Sequence, residues 1–225
     1  PQINSLDALK HILVTGNATR LAGLEKPWTL YEDFIADHEP IVEFPDIEET
    51  AAAATCYTSG TTGNPKGVVY SHRTIYLHSL ASMATNAFAL GNSDKILLLP
   101  PMFHANAWGL PYSGWLAGAD FVLPGPNLQP EAIRRMIRGT APTFTATVPT
   151  ILNDLLRIDA KDPVDMQSFR VIVVGGSAVS EGLIAEVERS WNVPLIQGWG
   201  MTETSPLCVL SHPAADASDE EARRL

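Results

Sequence analysis

Positive charge, cysteine and long apolar segments are all scarce in this sequence of 225 residues. Lysine and arginine number 15 against 25 aspartates and glutamates, and the net charge of −10 disfavours a nucleic-acid partner or an anionic membrane surface. The two cysteines, Cys56 and Cys208, lie far apart without metal-ligand spacing, which predicts two buried free thiols in a reducing compartment, the cytoplasm. No apolar run reaches the roughly 18 residues of a membrane span, so no integral membrane segment is expected.

The sequence alternates short apolar segments with amphipathic ones, which is typical of α/β proteins. Several apolar segments, such as KILLLP and RVIVVGG, lack alternation and predict buried parallel strands. Helices are predicted between the strands, one capped by Ser71 and others with Pro130 or Pro149 in the first turn. Near the start, HILVTG predicts a strand and TLYEDFIADHEP a helix capped by Thr29. We therefore expect mostly parallel sheets flanked by helices.

Acidic residues are missing from one long stretch, since no aspartate or glutamate occurs from Thr50 through Ser93. The stretch contains Lys66, Arg73 and the segment YTSGTTGNPKG at 57–67. Glycines in this segment let backbone N–H groups converge on one point, and its hydroxyls and Lys66 add further donors. A plain turn is the ordinary alternative, but the missing acids favour a phosphate site.

The segment YTSGTTGNPKG does not match the Walker A motif, because Pro65 precedes Lys66 and Gly67 follows it. It also joins two predicted short strands, whereas a Walker loop leads from a strand into a helix. Without a helix N-terminus the loop is predicted to be mobile, which suits a triphosphate that is held, cleaved and released as pyrophosphate. A P-loop phosphohydrolase is the alternative that these differences disfavour.

Two further segments, VVGGSA at 173–178 and QGWGMTETSP at 197–206, each follow an apolar strand. With the helix predicted between them they form a βαβ crossover, so both loops lie at the carboxyl ends of parallel strands, where open α/β sheets bind ligands. Gly175 and Gly176 allow close approach to a flat ring, and Trp199 offers a stacking surface. Thr202 can donate to a phosphate oxygen and Glu203 can hold Mg²⁺. Each has an ordinary structural explanation alone; together they predict a nucleotide site.

The segment PMFHANAWGLPYSGW is rich in aromatic residues. Such residues near the start of a helix usually pack in the core, and core packing is the prediction for Tyr112 and Trp115. For His104 the ordinary explanation is a structural histidine, and only the family resemblance described next favours a place at the substrate site.

These segments together resemble the adenylate-forming superfamily, which includes acyl- and aryl-CoA synthetases, luciferases and peptide-synthetase adenylation domains. Thr58 to Gly67 matches the phosphate-loop pattern Ser/Thr-Ser/Thr-Gly-Thr-Ser/Thr-Gly-x-Pro-Lys-Gly at every fixed position. GGSA resembles the adenine-binding segment, and PMFH resembles the motif whose histidine borders the acyl pocket. GWGMTE resembles the Tyr-Gly-x-Thr-Glu motif, with Trp199 in place of the commoner tyrosine, a change that keeps stacking but loses the phenol hydroxyl.

The resemblance implies four groups of site residues. The catalytic group is Lys66, Thr202, Glu203 and His104, with Thr202 at the α-phosphate. The metal lies near Thr58 and Glu203, and the acid is lined by His104, Ala105 and Trp108. The nucleotide is bound by Thr58, Ser59, Gly60, Thr61, Thr62, Gly63, Pro65, Lys66, Gly67, Gly175, Gly176, Ser177, Ala178, Gln197, Gly198, Trp199, Gly200, Met201 and Thr202.

The implied reaction is ATP- and Mg²⁺-dependent activation of a carboxylic acid to acyl-AMP and pyrophosphate, followed by thioesterification to coenzyme A. PMFHANAW and QGWGMTETSP resemble the fatty-acyl-CoA synthetase branch, so a fatty or medium-chain acid is expected. A short thioether acid, an aryl acid, or a nucleotide-binding fragment without catalysis are the alternatives. Residues 1–225 are expected to be an incomplete adenylation N-terminal domain, inactive alone and without the lysine-bearing C-terminal domain. A homodimer of the full-length protein is compatible with the resemblance.

Overall fold

The computed structural model describes residues 2–5, 7–16, 23–59 and 63–212. Gly60, Thr61 and Thr62 of the predicted phosphate loop lie outside the described residues. The chain divides into two compact units, residues 1–47 and residues 48–225. Among the described helices, none is long and apolar enough to cross a membrane.

The first unit contains a small parallel sheet followed directly by a short helix. The strand predicted in HILVTG is confirmed, but the predicted cap of the helix is wrong. Thr29 lies inside the second strand, and its hydroxyl contacts Nε2 of His11 at 2.8 Å, so the helix begins at Tyr31. The elements are the 3₁₀ turn Gln2–Ser5, β1 (Ile12–Val14), β2 (Trp28–Leu30) and α1 (Tyr31–Ala36).

The second unit begins with an antiparallel hairpin of β3 (Ala52–Thr58) and β4 (Lys66–Ser71). Thr58 pairs with Lys66 at the end of the hairpin where the loop connects the two strands. The predicted phosphate loop therefore connects two strands, as the sequence indicates, and does not lead into a helix as a Walker loop does.

Helix α2 (His72–Met83) follows the hairpin without a break. The hydroxyl of Ser71 accepts a hydrogen bond from the N–H of Thr74, and the hydroxyl of Thr74 accepts one from the N–H of Ser71. This reciprocal capping satisfies two backbone donors that the first turn leaves free. The prediction that Ser71 caps a helix is confirmed.

Six strands form the main sheet, in the spatial order β10-β9-β8-β7-β5-β6. Every neighbouring pair is parallel except β9 and β10, which are antiparallel. The mostly parallel sheet that the sequence predicts is therefore confirmed. Its strands are β5 (Lys95–Leu98), β6 (Asp120–Val122), β7 (Phe144–Thr147), β8 (Val171–Val174), β9 (Leu195–Gly200) and β10 (Leu207–Ser211). The accompanying helices are α3 (Ala105–Trp108), α4 (Leu110–Ala117), α5 (Pro130–Thr140), α6 (Pro149–Asp159) and α7 (Glu181–Trp191).

Both faces of this sheet are covered by apolar side chains, because residues along β8 alternate between two clusters. Val173 packs in a cluster with Phe88 and Leu110. Val174 faces the other side, where the cluster includes residues of α5, α6 and α7. Since each fully buried aliphatic side chain contributes about 1.5–3 kcal/mol, the two clusters hold the strands in register and fix the positions of the loops at their ends.

An ionic network closes the amino-terminal edge of the sheet. Asp94, just before β5, receives hydrogen bonds from Arg170 and from the hydroxyl of Thr143, which precede β8 and β7. The N–H of Gly91 donates to the same carboxylate. Burial alone raises the pKa of Asp94, but the hydrogen bonds from Arg170, Thr143 and Gly91 outweigh it, and the net pKa is lowered. The opposite, carboxyl edge carries the glycine-rich loops.

Candidate active site

The residue that follows β8, Gly175, lies against Gly198 near the carboxyl end of β9. The two strands are parallel neighbours, with Val174 opposite Gln197. A β-carbon on Gly175 would lie only 2.6 Å from the carbonyl oxygen of Gly198, so the backbones approach as closely as glycine permits. The βαβ arrangement inferred from the sequence is therefore present, and the loops share one edge.

A cavity of about 280 Å³ opens beside these loops. Residues from the β8 and β9 loops form part of its wall, and residues from the PMFHANAW segment form another part. Half-exposed Trp199 presents its ring on this wall. The lining residues are Phe88, His104, Ala105, Trp108, Val173, Gly176, Gly198, Trp199, Gly200, Met201, Thr202, Pro206 and Leu207.

The turn after β9 is tightly folded around Thr202. A β-carbon on Gly200 would overlap the carbonyl oxygen of Pro206, and the N–H of Met201 donates to that same oxygen at 3.1 Å. The 3₁₀ turn Thr202–Thr204 follows, with Thr202 buried and Glu203 exposed. This folding carries Thr202 into the cavity wall and turns Glu203 toward solvent.

The hairpin that carries the predicted phosphate loop packs on this turn through β3. Tyr70 of β4 is buried, and its phenol O–H donates a 2.6 Å hydrogen bond to the carbonyl oxygen of Thr202. Burial and then the neighbouring Cys56, Glu203 and Tyr112 raise the pKa of Tyr70 to about 12, so its hydroxyl stays protonated near neutral pH. The hairpin and the 202–204 turn are therefore joined by a direct bond.

The PMFHANAW segment reaches the cavity through an unusual backbone conformation. The four residues of α3 have φ between 45° and 60°, a left-handed turn that costs non-glycine residues roughly 1–2 kcal/mol each. Asn106 in this turn accepts a hydrogen bond from the buried thiol of Cys56 and donates to the hydroxyl of Tyr112. These contacts hold the turn, which brings His104 and Trp108 to the cavity wall.

Trp108, from the PMFHANAW segment, lines the cavity next to the loop that follows β8. Its ring atoms would lie 3.5 Å from a β-carbon on either Gly175 or Gly176, so the indole rests on the glycine backbone after β8. The side chain therefore contacts the backbone after β8 and also lines the cavity.

Comparison with known proteins decides the family. The AMP-binding enzyme family matches residues 3–224, nearly the whole chain. The chain belongs to the AMP-binding enzyme family.

Three curated relatives of this AMP-binding enzyme are CoA ligases. The chain is 39% identical over 216 residues to the medium-chain-fatty-acid–CoA ligase of Ectopseudomonas oleovorans, covering 96% of this chain and 40% of that ligase. It is 40% identical over 198 residues to the 3-methylmercaptopropionyl-CoA ligase of Ruegeria pomeroyi (88% and 36% covered). It is 46% identical over 181 residues to the long-chain-fatty-acid–CoA ligase of Thermus thermophilus (79% and 33% covered). The chain thus spans well under half the length of these relatives.

Two solved structures show a similar fold. The anthranilate CoA ligase AuaEII in complex with anthranoyl-AMP has a TM-score of 0.82 at 25% identity, with 92% of this chain and 39% of that chain covered. The o-succinylbenzoate CoA synthetase of Bacillus subtilis in complex with ATP and magnesium has a TM-score of 0.70 at 25% identity, with 89% and 41% covered. The α/β fold expected from the resemblance is confirmed.

The structure of this AMP-binding enzyme brings together most of the predicted acid-site and strand-end residues. The predicted residues that line the cavity are His104, Ala105, Trp108, Gly176, Gly198, Trp199, Gly200, Met201 and Thr202. Gly175 lies buried behind the wall, Gln197 is half-buried in β9, and Ser177, Ala178 and Glu203 are exposed nearby in sequence. These positions leave the individual roles as predictions.

The phosphate-loop residues stand apart from the cavity wall. Thr58 and Lys66 face each other at the end of the hairpin, and no described residue of the hairpin lines the cavity. The remaining described members, Ser59, Gly63, Pro65 and Gly67, are exposed, as expected of a loop that meets a ligand from one side.

Arg73, the second cation of the acid-free stretch, is not free. Its guanidinium pairs with Glu49, which lies just outside that stretch. The hydrogen bond and the charge of Arg73 lower the pKa of the Glu49 carboxyl. Lys66 forms no ion pair with any described residue, so it is the cation that the described part of this region leaves for an anion.

The prediction that Tyr112 and Trp115 pack in the core is wrong. Both are exposed, Trp115 by 83%. Helix α4 turns its Gly114 side inward, where a β-carbon would already clash with Phe121 and Ile96. The aromatic side chains are left on the outer surface of the helix.

Metal ligands are few in the described part of the enzyme. No group of three or more His, Cys, Asp or Glu side chains there is placed to hold a metal ion. One carboxylate such as Glu203 and one hydroxyl such as Thr58 suit an ion that takes its other ligands from phosphate and water, which is how Mg²⁺ usually binds. The donor set therefore fits magnesium and not a metal held entirely by protein.

The half-buried His78 was not among the predicted site residues. Burial lowers the pKa of His78 to about 4, so its ring is neutral at pH 7. Its Nε2 accepts a 3.4 Å hydrogen bond from the N–H of Leu207, a lining residue, and its ring lies against Gly109. Phe88, Val173, Pro206 and Leu207 were also not among the predicted site residues. Val173 and Pro206 are the end residues of the two strand-end segments, whereas no motif in the sequence includes Phe88 or Leu207.

Proposed function

We propose that the full-length protein is an AMP-forming acid–thiol ligase that converts a fatty or medium-chain carboxylic acid to its coenzyme A thioester. One observation supports this most strongly: the cavity is walled on one side by the predicted nucleotide loops and on another by His104 and Trp108. Acid adenylation requires an acid and a nucleotide to meet in one space. The medium- and long-chain ligases among its relatives support the same substrate class.

The first step joins the acid to the α-phosphorus. A carboxylate oxygen attacks that atom, the bond to the β-phosphate oxygen breaks, and acyl-AMP and pyrophosphate result. Lys66 and the backbone N–H groups of the phosphate loop hold the triphosphate, and Thr202 donates to the α-phosphate. Mg²⁺ on Glu203 and Thr58 supplies neutralising charge when bound.

The second step needs no further activation by this chain. The thiol of coenzyme A attacks the acyl carbon, and AMP leaves with the oxygen that came from the acid. His104, at the border of the acid wall, keeps the carboxyl group facing the nucleotide side, and Trp108 separates the acid from the glycine backbone after β8.

We assign the protein to the cytoplasm, where ATP and coenzyme A are available and where free thiols persist. Cys56 is buried as predicted, whereas Cys208 is exposed, so the prediction that both thiols are buried is wrong for Cys208. Its small-molecule partners are the acid, ATP and coenzyme A. A homodimer of the full-length protein belongs to the same proposal and is tested by its mass in solution.

A panel of carboxylic acids in the ATP–pyrophosphate exchange assay tests the proposal on the full-length protein. Straight-chain acids of six to eighteen carbons, 3-methylmercaptopropionate and an aryl acid such as benzoate form the panel. Acid-dependent exchange that is fastest with a straight-chain acid supports the proposal. If exchange is fastest with the thioether acid, whose ligase is among the relatives, the proposed fatty-acid substrate is wrong and a short thioether acid takes its place. If no acid supports exchange, the proposed acid-adenylating activity is wrong.

A further inference from the structure

We propose that Tyr70 is a positioning residue for the adenylation step, which fixes the Thr202–Glu203 segment against the hairpin that carries the phosphate loop. This inference rests on the proposed function, because it assigns Tyr70 a place in the same reaction. It adds a residue that lies outside the phosphate-loop and strand-end motifs.

Tyr70 lies on the same strand, β4, as Lys66. Lys66 is the first residue of β4 and Tyr70 the fifth, so their side chains leave the same face of the strand. Tyr70 is 3% exposed, and its hydroxyl is bonded to the backbone of a residue 132 positions away. One rigid strand thus carries the predicted triphosphate cation at one end and the tie to Thr202 at the other.

Apart from the phenol O–H of Tyr70, the carbonyl oxygen of Thr202 accepts a hydrogen bond only from the N–H of Ser205, at 3.4 Å, among the described residues. The Tyr70 bond, at 2.6 Å, is therefore the shorter of the two and the one that comes from outside the turn. The peptide group after Thr202 joins the two proposed site residues, so its displacement would shift the Thr202 hydroxyl and the Glu203 carboxylate, and the hydrogen bond from Tyr70 opposes that displacement.

Substitution of Tyr70 by Phe removes this bond and keeps the buried ring. In the full-length protein, Tyr70→Phe is expected to lower kcat for acid-dependent ATP–pyrophosphate exchange about tenfold, the loss that follows from one well-aligned hydrogen bond. The Tyr70→Phe variant is expected to need a higher Mg²⁺ concentration to reach half its maximal rate. KM for the acid should be unchanged, because the hydrogen bond from Tyr70 goes to Thr202 and not to His104 or Trp108. Tyr76→Phe, which removes an exposed phenol on α2, is the matched control and is expected to behave as wild type.

Two further measurements separate positioning from folding. Replacement of Tyr70 by p-aminophenylalanine, which retains a donor at the same place on the ring, is expected to restore most of kcat. Calorimetric titration with Mg·ATP in the absence of any acid is expected to show severalfold weaker binding for Tyr70→Phe than for wild type. This second readout does not depend on turnover.

The outcomes are distinct. Wild-type kinetics in Tyr70→Phe, a rise in KM for the acid with kcat unchanged, or failure of p-aminophenylalanine to restore kcat in a folded protein would each overturn the inference. Wild-type protein that binds Mg·ATP but exchanges no pyrophosphate with any acid would overturn the proposed function, while weaker Mg·ATP binding by Tyr70→Phe would still support the positioning. Absence of Mg·ATP binding in wild type would overturn both.

Discussion

Gly175 and Gly198 face each other across the carboxyl ends of β8 and β9, so closely that a β-carbon on Gly175 would lie 2.6 Å from the carbonyl oxygen of Gly198. Real side chains essentially never approach a carbonyl oxygen at that distance. The loop after β8 therefore reaches the cavity only because this position lacks a side chain, and the neighbouring Gly176 takes a left-handed conformation with φ of 78°.

We expect Gly175→Ala to push the loop after β8 away from Gly198 of β9. ATP binding should weaken at least tenfold, which corresponds to a loss of roughly 1.4 kcal/mol in binding free energy. Calorimetric titration of the full-length protein with ATP measures this. Gly182→Ala is the matched control, because Gly182 lies in α7 with no atom closer than 4.0 Å to its added β-carbon, and alanine favours a helix. Equal affinity of the two variants would contradict the proposed nucleotide loop.

The two charged residues proposed for the triphosphate and the metal give a second test. Lys66→Ala and Glu203→Ala in the full-length protein are each expected to depress acid-dependent ATP–pyrophosphate exchange by about 100-fold or more, because each removes preorganised charge from the transferring phosphate. Lys161→Ala and Glu186→Ala change exposed charges elsewhere on the surface and serve as controls. Near wild-type exchange in both site variants would refute the assigned roles.

Trp108 provides a test of substrate selection. Its removal enlarges the cavity next to Gly176, so Trp108→Ala is expected to widen the chain-length preference. The ratio of kcat/KM for a long and a short straight-chain acid should change by about tenfold or more, a range typical of altered apolar pockets. Trp115→Ala removes an indole that is 83% exposed and does not line the cavity, and it should leave the ratio unchanged. The same ratio in both variants would exclude a role for Trp108 in chain-length selection.

Much of the fold is predictable because local sequence and sheet geometry agree. Val171–Val174 is continuously apolar and forms a strand buried on both faces, and Ser71 caps the helix after the hairpin. The adjacency of the loops after β8 and β9 follows from the handedness of βαβ units, which brings distant glycines to one edge.

Other features depend on contacts that no local pattern encodes. Arg73 pairs with Glu49, a residue that lies just outside the acid-free stretch. Trp115 is exposed because Gly114 determines which side of α4 faces inward. The left-handed turn of α3 is stabilised by Cys56 from a strand 50 residues earlier. Such long-range partners explain why the lining residue Phe88 and the tie from Tyr70 were not predicted.

The network around Asp94, at the amino-terminal edge of the sheet, gives a stability test. Arg170→Met leaves a buried carboxylate without its ion-pair partner, and such losses cost about 3 kcal/mol or more in the free energy of unfolding. Urea denaturation of the full-length protein measures the change. Arg157→Met breaks an exposed pair with Asp154 and should cost less than about 1 kcal/mol. Equal costs for the two variants would contradict the structural importance of the network.

The same network predicts a pH dependence. The pKa of Asp94 is lowered in the folded state, so its contribution is fully present above the unfolded pKa of about 4 and is lost as pH falls through the lower folded value. In Arg170→Met the hydrogen bonds from Arg170, which lower the pKa of Asp94 most strongly, are lost, so burial favours the protonated carboxyl of Asp94. The stability difference between wild type and Arg170→Met should therefore narrow as pH falls below about 4, and a difference that widens would contradict this account.

Transfer of oxygen from the acid to AMP tests the central claim most directly. The full-length protein is incubated with ATP, coenzyme A, Mg²⁺ and a straight-chain acid labelled with ¹⁸O in both carboxyl oxygens, and the products are analysed by mass spectrometry. Attack of the carboxylate on the α-phosphorus predicts AMP that carries one ¹⁸O atom, together with unlabelled pyrophosphate. Unlabelled AMP, or ADP with ¹⁸O in orthophosphate, would contradict acid adenylation.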